Sequence, residues 1–267
     1  LVGGNLFGFV VGEEFLIGLV LSLFGFLNSF GQPFTGRLSD RTGRRKLFIL
    51  VGLVVFGVAS ALYPFVSSYG AVVAIRAFQG LGAAFTIPGT IALVNEYSTA
   101  DTERGGNFGV FNTFRLIGFG FGPIVAGLLV TGGLGAVATE GGGAAPTSVA
   151  QYALPAVLGG GTMSGYTAAF GVAVLGAVVS LVLVTVFVHD PEDTGAEAGA
   201  DLSIAVLDRS GDAAFDPVFV LGVGTFFMAT GIAVFATLQE DINAALGQGP
   251  FLFSVQFAAV VIANVAF

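Results

Sequence analysis

The sequence predicts an all-α membrane protein, and three observations carry that expectation. Of the 267 residues 55% are hydrophobic and only 10% charged, a balance far from that of soluble domains. Apolar runs about 20 residues long, enough to cross roughly 30 Å of hydrocarbon at 1.5 Å per residue, recur along the whole chain. Between those runs the basic residues fall in alternate segments only, the pattern of a multi-pass chain.

In chain order, the runs predict the tail of a first helix at 1–11, then spans at 16–36, 47–66, 71–95, 108–131, 166–188, 217–238 and 251–267, the last cut short. The 42 glycines would weaken soluble helices, but in a bilayer small residues let helices approach closely. Leu1 and Phe267 both lie inside apolar runs, so the chain is expected to be a fragment of a longer protein. Segment 37–46 holds Arg37, Arg41, Arg44, Arg45 and Lys46, segment 96–107 holds Arg104, and segment 189–216 holds Arg209. The opposite segments hold no Lys or Arg, and seven against none predicts that 37–46, 96–107 and 189–216 are cytoplasmic.

Segment 132–165 is rich in Gly, Ala, Thr and Ser with Glu140 as its one charge, the composition of a flexible outer loop. From His189 to Asp216 the acids Asp190, Glu192, Asp193, Glu197, Asp201, Asp208 and Asp212 mark a solvated linker. The expected domains are therefore a six-helix N-terminal bundle over 1–189 with its first helix truncated, an acidic cytoplasmic linker over 190–216, and the start of a C-terminal bundle over 217–267.

Composition narrows the chemistry. Without cysteine there is no disulfide, thiolate metal site or cysteine nucleophile, and one histidine, His189, excludes histidine-pair metal motifs. Lys46, the single lysine, lies between spans and so is no candidate for a buried retinal Schiff base. No Gly-x4-Gly-Lys-(Ser/Thr) loop exists to cradle ATP phosphates. A net charge of −8, a pI near 4.4 and scarce lysine fit a salt-adapted, halophilic source, or a GC-rich genome alone.

Three motifs carry function. The first is Gly36-Arg37-Leu38-Ser39-Asp40-Arg41-Thr42-Gly43-Arg44-Arg45-Lys46; a purely topogenic basic segment would not need Gly36, Asp40 and Gly43 at these spacings. It resembles the signature loop of the major facilitator superfamily. Gly36 would let helices pack and Gly43 would permit a tight turn. Asp40 would face a helix N-terminus in the opposite bundle, a latch for the outward-facing state. The resemblance implies a gating set of Gly36, Asp40, Arg41, Gly43, Arg44, Arg45 and Glu96, with Arg44 pairing to Glu96 at the end of the fourth span.

The second motif, Arg76-Ala77-Phe78-Gln79-Gly80-Leu81-Gly82-Ala83-Ala84, resembles the family's Arg-x-x-Gln-Gly-x-Gly-x-Ala pattern. An arginine inside a span costs at least about 2.5–3.5 kcal/mol on insertion scales, so it faces a cavity or partner, or snorkels to the interface. The resemblance links Arg76 and Gln79 to proton coupling. The third motif runs from Gly109 through Gly118 and Gly122-Pro123 to Ala126-Gly127, and resembles the antiporter branch's fifth-span pattern, departing only at Ala126. Gly118, Gly122 and Ala126 fall four apart on one face, where a neighbour would pack closely, and Pro123 bends the helix.

Arg115 is a second intramembrane cation, and no acid lies deep in the visible spans. Two readings stand: carboxylates elsewhere in the protein, or an anionic substrate. Asn28 and Gln32 on the second span and Asn112 on the fifth would line a polar path or bond between helices.

The resemblance implies the fold of that superfamily, with two six-helix bundles, a substrate site near the midplane and rocking between inward-open and outward-open states. The expected function is secondary active transport of a small solute, in the form of proton-coupled efflux by antiport; the alternative is a proton symporter or uniporter for a sugar or organic anion. The chain is expected to be a monomer in the cell membrane, not an enzyme. Its partners would be the lipid bilayer, a small-molecule substrate and protons, with no nucleic acid, no cofactor, no metal and no catalytic residues. A channel would not need the gating motif, and a silent scaffold would not need Arg76.

Overall fold

The computed structural model describes residues 5–6, 9–10, 12–98, 101–133, 149–155, 160–191, 206, 215 and 217–263. Eight α-helices lie among them: α1 (Glu13–Thr42), α2 (Arg45–Leu62), α3 (Tyr69–Glu96), α4 (Asp101–Thr131), α5 (Gly165–Phe187), α6 (Pro217–Thr237), α7 (Gln239–Leu246) and α8 (Pro250–Ala263). Five of them, α1 to α5, are long and apolar enough to cross a membrane. They carry many outward-facing apolar side chains. Phe26, Phe30 and Phe34 climb one face of α1, and Leu175, Val182 and Val186 stand out from α5. Such a surface is stable only against hydrocarbon.

Helix α1 has 30 residues, about 45 Å at 1.5 Å per residue, longer than the hydrocarbon it crosses. It swallows most of the basic motif: only Gly43 and Arg44 lie outside a helix. Gly43, in the left-handed region at φ 64°, ends α1 and bonds back to the Ser39 carbonyl, the usual glycine stop. The span expected at 16–36 therefore continues through the charged stretch, because charge ends the apolar run without ending the helix. For the same reason α4 begins at Asp101, and 101–107, expected as loop, is helical.

Helix α3 is the centre of the first group and packs along both α1 and α2. A methyl added at Gly80 would come within 2.7 Å of the Phe24 carbonyl of α1, and one at Gly82 within 2.8 Å of the Gly52 carbonyl of α2. Further along, Thr35 donates a hydrogen bond to the Ala84 carbonyl, and Phe48 stacks on Phe85 at 5.9 Å. Helix α5 lies on α2, and α4 packs against α5 and, more extensively, α8.

Three expected elements differ. Residues 5–6 and 9–10 pair as short antiparallel strands, β1 and β2, where a helix tail was expected; Gly3, Gly4, Gly8 and Gly12 make this stretch a poor helix former. Within the segment expected to be a flexible outer loop, β3 (Gln151–Ala153) and β4 (Thr162–Ser164) form a hairpin. It is fastened to the end of α4 by Tyr152, whose hydroxyl donates to the Leu129 carbonyl, and by the Ala150 N–H, which donates to the Val130 carbonyl. Composition averaged over the segment hides those few strand-forming residues. Beyond α6, the stretch expected to link two spans holds α7, and α7 meets the next helix at 117°. Most acids of the 190–216 segment lie outside the described residues.

Candidate functional site: charged end, buried arginine and cavity

At the end of the bundle where α1 stops and α2 begins, Arg45 is buried. Its guanidinium lies 2.5 Å from Glu96 at the end of α3 and 3.5 Å from Asp40 in the last turns of α1. One cation thus joins three helices. The pairing expected for Arg44 belongs to Arg45: Arg44 sits outside both helices and is exposed, whereas the first turn of α2 turns Arg45 inward toward α3. Asp40 meets this arginine, and Arg41 points outward from the last turn of α1. Gly36 lies against α3, where a methyl would stand 3.3 Å from Pro88.

The chain after α5 returns to the same end. Asp190 accepts a hydrogen bond from the Lys46 backbone N–H at 2.8 Å, capping the first turn of α2, while Lys46 Nζ donates to the Thr185 carbonyl at 2.7 Å. Each helix terminus satisfies the other's orphan groups. Tyr97 adds a third tie: its hydroxyl donates to the His189 carbonyl and accepts from the His189 N–H. Sequence reading placed Asp190 with the solvated acids because its helix partner is 144 positions away.

Arg76 is half-buried in α3. Its Nη1 donates to Gln79 Oε1 at 3.3 Å, and the guanidinium lies 5.8 Å from the centre of the Tyr63 ring, within cation–π range. Gln79, 5% exposed, also accepts from the Tyr63 hydroxyl and donates to Ser60, itself fully buried. Tyr63 stacks on Phe170 of α5 at 4.1 Å. The arginine is thereby held at the junction of α2, α3 and α5, with its Nε buried and without a hydrogen-bond partner among the described residues. Ser60 and Tyr63 were not singled out from sequence; only their spacing to Gln79 across two helices gives them a role.

Of the remaining residues expected to line a cavity, Arg115 is exposed on α4, Asn112 is half-buried, and Gln32 donates to Asn28 within α1 at 3.1 Å. Of the glycines in the expected seam on α4, Gly127 alone meets a neighbour among the described residues. Added methyls at Gly109, Gly118 and Gly122 would meet nothing within 4 Å, whereas at Gly127 one would lie 3.0 Å from Ser254 and at Gly120 one would touch Ala258 of α8. Gly120 and Gly127 are seven apart, two helical turns, so they share the packed face. Pro123 instead helps to line a cavity of about 1180 Å³.

That cavity lies between α4, α5, α7 and the start of α8, at the end of the bundle remote from Arg45. Its walls include Phe121, Val130, Phe170 and Val172, and its polar side chains come from Tyr166, Gln239, Glu240, Asn243, Gln248 and Ser254. Gln248 is 7% exposed and forms a reciprocal amide pair with Gln256, each donating to the other at 2.9 Å, while it also donates to Asn243 at 3.1 Å. Arg76, Gln79, Arg115, Asn28, Gln32 and Asn112 do not line it.

Long lipid-facing helices, an arginine retained within one of them and a charged knot at one end define a multi-pass α-helical membrane protein. The model of the Major Facilitator Superfamily matches residues 6–267, and the chain belongs to that family of membrane transporters. It is 34% identical over 116 residues to an uncharacterized MFS-type transporter of Methanocaldococcus jannaschii, covering 42% of this chain and 29% of that protein. It is 32% identical over 113 residues to citrate exporter 1 of Aspergillus niger, 42% of this chain and 21% of the relative. Over 94 residues it is 39% identical to the puromycin resistance protein pur8 of Streptomyces alboniger, 35% of this chain and 18% of the relative. The matched region thus spans less than a third of each relative's length.

Proposed function

We propose that the protein carrying this chain is a secondary active transporter that exports a small solute in exchange for protons, by alternating access. The observation that supports this reading best is Arg76: a cation kept inside an apolar helix, against a cost of at least about 2.5–3.5 kcal/mol, with Nε free of partners among the described residues. Such a group repays its cost when a carboxylate or a substrate meets it during the cycle. Export agrees with two relatives named as a citrate exporter and a puromycin resistance protein. The Arg45–Glu96–Asp40 knot holds α1, α2 and α3 together on the cytoplasmic side of the cell membrane, where 37–46, 96–107 and 189–216 lie.

The test is transport by the complete protein in proteoliposomes, with puromycin and citrate as first probes. An imposed pH gradient drives uphill movement of a probe, and Arg76→Ala abolishes the coupling while leaving membrane insertion intact. Uphill movement that persists in the variant overturns the role of Arg76.

A further inference from the structure

The cavity beside α7 has a composition of its own. Its walls, from Phe121 and Val130 of α4 and Phe170 and Val172 of α5, are apolar; apart from the Tyr166 hydroxyl on α5, its polar side chains come from 239–248 and Ser254. That is the layout of a site for an amphipathic molecule, with a body that leaves water and a head that does not. The charge of the head follows from the lining, which holds one carboxylate, Glu240, and no lysine or arginine. Glu240 is exposed at the rim and has no hydrogen bond or ion pair among the described residues. The amide hydrogens of Gln248 are spent on Asn243 and Gln256, so an anionic head would meet Glu240 with only neutral donors in return. Asp241, the next residue along α7, is outside the lining.

We propose that this cavity is a binding site for a lipophilic amine, its hydrocarbon or aromatic body between α4 and α5 and its ammonium group on Glu240. At about 1180 Å³ it exceeds the upper end of the roughly 300–1,000 Å³ of sites for drug-sized ligands. Phe170 is common to the two sites, lining the cavity and stacking on Tyr63 of the Arg76 cluster, but neither Arg76 nor Gln79 lines the cavity, and the inference holds whether or not the protein exchanges protons.

The test uses the complete protein in nanodiscs of zwitterionic lipid at pH 7, with empty discs subtracted. The probes are three fluorescent naphthyl-alkyl compounds of equal chain length, ending in an amine, an alcohol or a carboxylate. The amine binds most tightly. Because Glu240 is exposed, Glu240→Gln weakens the amine about two- to fivefold, as loss of an exposed ion pair does, and leaves the alcohol unchanged. Ala173→Trp, which fills the apolar wall, weakens both. Equal binding of amine and carboxylate, or an amine affinity untouched by Glu240→Gln, overturns the proposal; the exposed position of Glu240 keeps that variant folded.

Discussion

At the scale of the residue, Gln79 serves an arginine, a tyrosine and a serine at once. Replacing it with leucine removes the N–H that donates to Ser60 and the carbonyl facing Arg76, with an expected loss of about 1–3 kcal/mol. Thermal unfolding in detergent reads this loss, and Gln79→Leu melting with the parent protein would refute the bridge. Arg45 and Arg44, adjacent in sequence, are expected to behave differently. In double-mutant cycles Arg45→Ala couples to Glu96→Ala by about 1 kcal/mol, whereas Arg44→Ala does not; equal coupling would undo the assignment.

Helix ends and helix crossings decide the behaviour of whole elements. The exchange between Lys46 and Asp190 joins the start of α2 to the end of α5, so Asp190→Ala is expected to cost about 0.5–2 kcal/mol, as loss of an N-cap does. Hydrogen exchange at the first turn of α2 rises in that variant; unchanged protection there would show that the carboxylate caps nothing. Crossings are less forgiving. A side chain at Gly52 collides with Gly82 and Thr86, while one at Gly118 meets open space. Gly52→Val is therefore expected to prevent folded protein from accumulating in the membrane, and Gly118→Ala to leave its yield unchanged. Monodisperse yield on size exclusion gives the comparison.

For the whole molecule, orientation is directly testable because the chain has no cysteine. Thr42→Cys at the charged end and Ser67→Cys beyond the opposite end of α2, both exposed, are expected to label with an impermeant maleimide from opposite faces of sealed vesicles. Labelling from one face alone would contradict the span between them. Much of this architecture was legible in the sequence, because hydrocarbon imposes its thickness on the apolar runs, and five of the expected spans correspond to α1 through α5. Their ends were not legible, since charge at Arg37 or Arg104 leaves the membrane before it leaves the helix. The candidate site was legible as types of residue, with Arg76, Gln79, Glu96 and Gly127 marked but Gly120 not. The partners were not, for they depend on rotation about helix axes: a turn of α2 selects Arg45 over Arg44, and a shift of face selects Gly120 and Gly127 over Gly118 and Gly122. The cavity by α7 left no trace in spacing, because its lining comes from three separate segments, 121–130, 166–173 and 239–254.

Two glycines a single residue apart on α3, one seated on each flanking helix, leave it no freedom to slip along either companion. Three rods so interleaved turn together, like one plank on a pivot. Whatever swing the protein makes must bend elsewhere, where helices meet with open space beside their glycines, as at Gly109, Gly118 and Gly122 of α4 and Gly171 and Gly176 of α5.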